Sequence, residues 1–297
     1  MPTGNRPTPE PVHFYCRGAR IEADLYLPAG RPPFPAVAVC HGFGSIRKYW
    51  VNDIAGELAD RGIAALIFDY RGFGDSEGPR DRLFPLEQVE DTRAAIGFLA
   101  SLEAIDPLQL GLYGVSFGGA VALYAAAVDN RVRAAVCAVG IADGYRWLKS
   151  LRRHWEWLEF EKRLEADRER RILTGESELV DPGEIMMRDP ESAELAARLD
   201  ADFPERSYRL TLESADAIIE FRPIDVVEQI SPRAVLLIGV EDDRLTPAGH
   251  TRELFERAGE PKGLIMMRDV THHDVYQPGH LRDLIGRAAA FYREHLA

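Results

Sequence analysis

Six short apolar runs recur along the chain, at 36–40, 64–68, 110–113, 134–139, 234–238 and 263–267, and none alternates with polar residues. A strand with one wet face must alternate, because successive side chains point to opposite faces. A run such as Ala36-Val37-Ala38-Val39-Cys40 is therefore buried on both sides. Between and after these runs lie segments whose apolar residues are spaced as on one helical face, at 51–61, 86–102, 117–128, 247–258 and 279–296. Ile54, Leu58 and Ala59 make one such stripe, and Val89, Ala94, Ile96 and Leu99 another. Doubly buried strands separated by helices specify a parallel sheet covered on both faces, hence an α/β, doubly wound, mostly parallel fold. Upstream, 12–17 and 20–27 alternate partly around Gly18 and run into turn-formers from Pro28 to Pro35, which reads as an opening β-hairpin.

The rhythm breaks between about 145 and 222. This stretch holds 14 basic and 19 acidic residues in 78, yet also three of the four tryptophans, Trp147, Trp155 and Trp157. Leu148, Leu151, Trp155 and Leu158 recur at helical spacing, so the segment is expected to be a helical insertion with one apolar face rather than a linker. The division is then a core of 1–144 and 223–297 with a cap of 145–222. The cap either stands as a solvated outgrowth or roofs a binding pocket with its aromatic face, and the second reading makes Tyr145, Trp147 and Trp155 candidate pocket residues.

Composition narrows the partners. The net charge of −12 repels a phosphate backbone, so nucleic acid is not an expected partner. The three cysteines, Cys16, Cys40 and Cys137, are an odd number, and two sit in apolar runs, so no disulfide framework is implied. Met1 to Pro11 is polar and proline-rich without the pattern of a secretory leader, and no apolar run approaches the ~18 residues of a membrane span; the expected location is the cytoplasm, without membrane contact. No His-Glu-x-x-His or Cys-x-x-Cys pattern occurs, so no metal is expected.

The chemistry concentrates in Leu108 to Leu123, which passes from an apolar run through Gly114-Val115-Ser116-Phe117-Gly118 into a helical pattern. A serine on so tight a strand-to-helix turn is forced into an unusual backbone geometry, and the flanking glycines let neighbouring chain pack against it. Ser116 Oγ would stand at the carboxyl edge of the sheet beside the positive end of a helix. A serine hydroxyl is a poor nucleophile near neutral pH and needs a base, itself oriented by a carboxylate. Both lie downstream: Asp242 and Asp243 follow the run at 234–238, His272 and His273 follow the run at 263–267, and Asp143 offers a third carboxylate.

With these residues in this order, the chain resembles a serine hydrolase of the α/β-hydrolase superfamily, over 12–144 and 223–297. His41-Gly42-Phe43-Gly44 resembles the oxyanion-hole loop, Asp69-Tyr70-Arg71-Gly72-Phe73-Gly74-Asp75-Ser76 the loop after the following strand, and Gly114 to Gly118 the nucleophile elbow. Asp243-Arg244-Leu245-Thr246-Pro247 resembles the acid loop, whose aspartate stands four residues before a proline, and this favours Asp243 over Asp242 and Asp143. His272-His273-Asp274-Val275-Tyr276 is similar to the His-x-Asp-x-Tyr loop of the dienelactone-hydrolase-like and X-Pro-peptidase-like branch, which favours His272 over His273. Asp69 and Asp75 are expected to fix turns and to pair with residues such as Arg71, and His41 to bond to backbone.

The resemblance implies that Ser116 attacks an acyl carbonyl, that His272 acts as general base and then acid, and that Asp243 holds the imidazole. The backbone N–H groups of Phe43 and Phe117 would bind the oxyanion. This acyl-transfer chemistry requires no cofactor. A serine nucleophile argues against haloalkane-dehalogenase-type chemistry, which needs a carboxylate. The expected activity is a carboxylesterase acting on a small or medium-sized, partly hydrophobic acyl substrate. A carbon–carbon bond hydrolase or lactonase on a ring-derived intermediate is the alternative, and a non-catalytic binding protein a third. The expected partner is a small-molecule substrate, and related capped enzymes suggest a homodimer.

Overall fold

The computed structural model describes residues 8–203 and 208–296. Most of the proline-rich N-terminal stretch, residues 1–7, and residues 204–207 of the insertion lie outside the described residues.

Among the described residues ten strands form: β1 (Glu10–Cys16), β2 (Ala19–Tyr26), β3 (Phe34–Cys40), β4 (Ala64–Phe68), β5 (Ile105–Val115), β6 (Val132–Ala138), β7 (Leu179–Val180), β8 (Leu210–Thr211), β9 (Ala234–Val240) and β10 (Lys262–Met267). β7 and β8 pair with each other, and the remaining eight make one sheet in the order β1-β2-β4-β3-β5-β6-β9-β10. The six strands from β4 to β10 run parallel, and β1 and β2 add to the edge antiparallel. Arg17 (φ 51°) and Gly18 (φ 84°) join the opening hairpin, two left-handed residues in succession as a tight two-residue hairpin turn requires.

The helices are α1 (Val51–Ala59), α2 (Pro85–Ser101), α3 (Phe117–Val128), α4 (Gly144–Ser150), α5 (His154–Thr174), α6 (Pro182–Ile185), α7 (Pro190–Asp202), α8 (Glu213–Glu220), α9 (Ala248–Arg257) and α10 (Pro278–His295). β3 shows why the apolar runs do not alternate. Its Val37 and Val39 join the cluster formed with α1 and α10, while Ala36, Ala38 and Cys40 join the cluster formed with α2 and α3. β5 is longer than its apolar run: Leu110 to Val115 is the buried part, and Asp106 to Leu108 continues outward with Leu108 exposed. All three cysteines are buried and free. Among the described residues no helix is long and apolar enough to cross a membrane.

The insertion lies between β6 and β9 and comprises α4 to α8 with the β7–β8 ribbon. The single apolar face expected from Leu148, Leu151, Trp155 and Leu158 does not form. α4 ends at Ser150, and a fresh helix starts at His154, where the Glu156 carboxylate accepts the Arg153 backbone N–H at 2.7 Å. The break resets the rotation of the chain, so α5 buries Trp157, Phe160 and Leu164 instead and leaves Trp155 and Leu158 53% and 44% exposed.

Candidate active site

The order of the parallel strands reverses between β3 and β5, so the loops leaving their carboxyl ends diverge and open a crevice there. Ser116 follows β5 at that point, with φ 53° and ψ −129°, and α3 begins at the next residue. A non-glycine residue in this region is strained and needs its surroundings to hold it. Those surroundings are glycine. A Cβ on Gly114 would meet the Gly118 carbonyl oxygen at 2.2 Å, and one on Gly118 would meet the carbonyl oxygens of Cys40 and His41 at 2.3 Å. The Ser116 N–H donates to the Ala138 carbonyl at 2.8 Å, which ties the turn to β6.

Downstream residues converge on this serine. His272 Nε2 stands 3.2 Å from Ser116 Oγ, and its Nδ1 stands 2.7 Å from Asp243 Oδ2. Asp243 is held in turn: its Oδ1 accepts the backbone N–H groups of Leu245 (2.8 Å) and Thr246 (2.7 Å). The Thr246 hydroxyl lies 2.9 Å from both Asp243 Oδ2 and the Val139 carbonyl. Burial works against the Asp243 carboxylate, but the charge and hydrogen bond of His272 and the bonds from Thr246 outweigh it and hold its pKa below the usual range. All three groups are buried. The arrangement supplies a hydroxyl, a base aimed at it and a carboxylate fixing that base, the requirements for moving a proton off a serine.

The alternatives are placed elsewhere. Asp242 is exposed. Asp143 accepts the Arg146 N–H at the start of α4 (2.9 Å) and pairs with Arg222 (2.6 Å). His273 turns toward the insertion, its Nε2 2.9 Å from Ser192 Oγ on α7, and burial together with the neighbouring His272 pushes its pKa down to about 4. His41 bonds through Nδ1–H to the Gly42 carbonyl at 3.1 Å, and burial, outweighing that bond, pushes its pKa down to about 4. Asp69 and Asp75 do pair with an arginine, but it is Arg47; Arg71 pairs with Glu90 and Asp91. In the His-x-Asp-x-Tyr loop, the Asp274 carboxylate accepts the Thr271 N–H at 2.7 Å and Tyr276 stacks on Trp50, ring centres 4.0 Å apart. The loop after β3 and the histidine loop are thereby clamped together.

Phe43 and Phe117 flank the serine, with their rings edge to face at 6.0 Å. Phe117 is the first residue of α3, where helical N–H groups have no partner within the helix. Gly42 lies so close that a Cβ there would stand 3.8 Å from Ser116 Oγ.

Above the serine is a cavity of about 90 Å³. Tyr145, Trp147 and Trp155, the expected pocket residues, do not line it. Trp147 is a pillar behind it, fully buried, with its indole N–H donating to the Leu245 carbonyl at 2.9 Å and its ring against Phe43 and Phe117. Tyr145 packs edge to face on Trp157, and Trp155 faces outward. The insertion does roof the cavity, but through Met186, Leu195, Ala196 and Leu199, from α7 and the segment before it, and Tyr208 near β8. Thr246 was legible only as a neighbour of the acid; beyond the motif residues that also line the cavity, such as Phe43 and Tyr276, the Tyr49-Trp50 pair close after the His-Gly-Phe-Gly motif was a sequence signal for the cavity wall that the reading missed.

Residues 17–274 match the X-Pro dipeptidyl-peptidase (S15 family). The chain is 27% identical over 277 residues to an uncharacterized 31.7 kDa protein from the traX-finO intergenic region of Escherichia coli, covering 93% of this chain and 96% of that one. It is 28% identical over 253 residues to a thiohydrolase of Eupenicillium brefeldianum, covering 81% and 80%. Hypothetical protein PA2218 of Pseudomonas aeruginosa has a similar structure, with a TM-score of 0.81 at 26% identity, covering 99% of this chain and 96% of that one.

Proposed function

The chain belongs to the X-Pro dipeptidyl-peptidase (S15) family of the α/β-hydrolase superfamily, and from that premise we propose that it is a serine hydrolase cleaving esters of small or medium-sized, partly hydrophobic acyl groups. The observation that carries the reading is the hydrogen-bonded series from Ser116 Oγ through His272 to Asp243, at 3.2 and 2.7 Å, on a serine with φ 53°. In this reading Ser116 Oγ attacks the acyl carbonyl while its proton passes to His272 Nε2. Asp243 keeps the other ring proton on Nδ1 and stabilises the imidazolium. The N–H groups of Phe43 and Phe117 receive the developing oxyanion, each donor typically contributing ~3 kcal/mol in the transition state. His272 protonates the leaving group, and water returns by the reverse route to release the acid.

The cavity supports a compact acyl group, since about 90 Å³ is below the roughly 300–1,000 Å³ of sites for drug-sized ligands. A thioester is the second reading, favoured by the similarity to a thiohydrolase along most of both chains. The test is fluorophosphonate labelling with peptide mapping on wild type and Ser116→Ala, alongside p-nitrophenyl esters from acetate to octanoate and matched N-acetylcysteamine thioesters. Labelling confined to Ser116, with turnover lost in the variant, is expected. Turnover that survives Ser116→Ala removes the serine from the mechanism.

A further inference from the structure

The described residues lining the cavity are apolar, aromatic or hydroxyl-bearing, apart from histidines and a single full charge, Arg188. Its side chain is 21% exposed, and its guanidinium is seated over Gly183, where an added Cβ would stand 3.4 Å from Cζ. The carboxylate within reach is a poor match. Asp181 Oδ1 is 3.8 Å from Nη1, on a side chain 65% exposed, and the same oxygen already accepts the Gly183 N–H at 2.7 Å. Arg163 and Arg168 of the insertion are closely paired, to Glu178 at 2.7 Å and to Asp216 at 2.6 Å; Arg170 and Arg198 are paired as loosely as Arg188, at 3.9 and 3.8 Å, but they are exposed and do not line the cavity. An exposed pair at the limit of ion-pair distance contributes little, whereas a partly dry guanidinium at the wall of an apolar cavity gains strongly from an anion it can hold with two N–H groups.

We propose that Arg188 is an anion-binding residue of the substrate cavity, and that the substrate carries a carboxylate-sized anionic group in addition to the acyl carbonyl. This rests on the hydrolase reading of the site. Its chemistry also separates this chain from a peptidase reading an amino terminus: an ammonium needs a carboxylate, and none lines the cavity among the described residues.

The test compares kcat/KM for p-nitrophenyl hexanoate with that for its monoadipate counterpart, which carries a carboxylate on the acyl side, and for 3-carboxy-4-nitrophenyl hexanoate, which carries it on the leaving group. Wild type should prefer one of the carboxylate esters over the neutral ester by at least about tenfold. Arg188→Met should collapse that ratio, and Arg188→Lys should restore part of it, with thermal melts reporting the fold of each variant. Preference for the monoadipate ester assigns the anion to the acyl group, and preference for the carboxynitrophenyl ester assigns it to the leaving group. Turnover of the neutral ester without preference, or a preference that survives Arg188→Met, overturns the inference and leaves the hydrolase reading standing. A folded protein that cleaves none of the esters and takes no label at Ser116 overturns both.

Discussion

Replacing Asp243 by Asn changes one atom, and the structure dictates where the change falls. Oδ1 accepts two backbone N–H groups, from Leu245 at 2.8 Å and Thr246 at 2.7 Å. An amide nitrogen there would face two donors, so the amide oxygen must take that position and the NH2 must take the place of Oδ2, 2.7 Å from His272 Nδ1. The Thr246 hydroxyl then accepts from the new NH2 and gives its proton to the Val139 carbonyl, 2.9 Å away. The fold therefore keeps its bonds. His272 does not keep its tautomer: Nδ1 must become an acceptor, the ring proton moves to Nε2, and the lone pair that faced Ser116 Oγ at 3.2 Å is gone. The equivalent change in a serine-protease triad costs about 10⁴ in kcat, which is about 5 kcal/mol of transition-state stabilisation. We expect a loss of that order in kcat/KM for p-nitrophenyl butyrate and in the rate of fluorophosphonate labelling, with an unchanged melting temperature. Asp242→Asn, on an exposed side chain, should stay within about twofold of wild type. A folded Asp243→Asn enzyme that loses less than tenfold would refute the argument.

His272→Ala should cost about 10³-fold or more in kcat, while His273→Ala, which removes the bond to Ser192 on α7, should act mainly on KM; steady-state kinetics on both variants decide, and the opposite ranking would move the base by one residue. Gly118→Ala drives a methyl to 2.3 Å from two backbone carbonyls that cannot swing aside, so it should lose about 3 kcal/mol or more, and an unshifted urea midpoint would contradict the packing described. His41 titrates near 6.5 when unfolded and at about 4 in the fold, so the unfolded chain binds more protons between those values. The stability it contributes is complete above pH 6.5, falls as the pH drops toward 4, and amounts at most to about 3 kcal/mol. Urea unfolding of wild type and His41→Gln at pH 7 and pH 4.5 should show a smaller acid loss in the variant; equal losses would mean that another group carries the acid sensitivity.

Much of the fold was legible because its signals are local. Burial on both faces imposes non-alternating apolar runs, and each of the six lies on a strand of the parallel sheet, with only β5 extending well beyond its run. The positions of Ser116, Asp243 and His272 were legible for the same reason, since each sits in a loop whose glycines, proline or turn carboxylate declare the local backbone geometry. The pairing of Asp69 and Asp75 was not. Arg71 is the nearer arginine in sequence, but the backbone of the loop after β3 brings Arg47 under both carboxylates, its own N–H donating to Asp69 Oδ1 at 2.7 Å.

The tryptophans of the insertion show where local reasoning stops. An aromatic residue at helical spacing has two outlets, a packed core or a cavity wall, and helical period alone does not choose between them. For Trp147 the choice is made by a carbonyl 98 residues away, at Leu245, which satisfies the indole N–H and lets the whole ring be buried. For Trp155 and Trp157 it is made by the break before α5, which turns one outward and the other inward. The cavity roof falls instead to Leu195 and Leu199, on a helix whose charged sequence carries no aromatic residue before Phe203. Their role is set by where α7 lands, and His273 reaching Ser192 is one bond that sets it. The residues that choose the substrate are thus placed by contacts between distant loops, while those proposed to transform it are placed by their immediate neighbours.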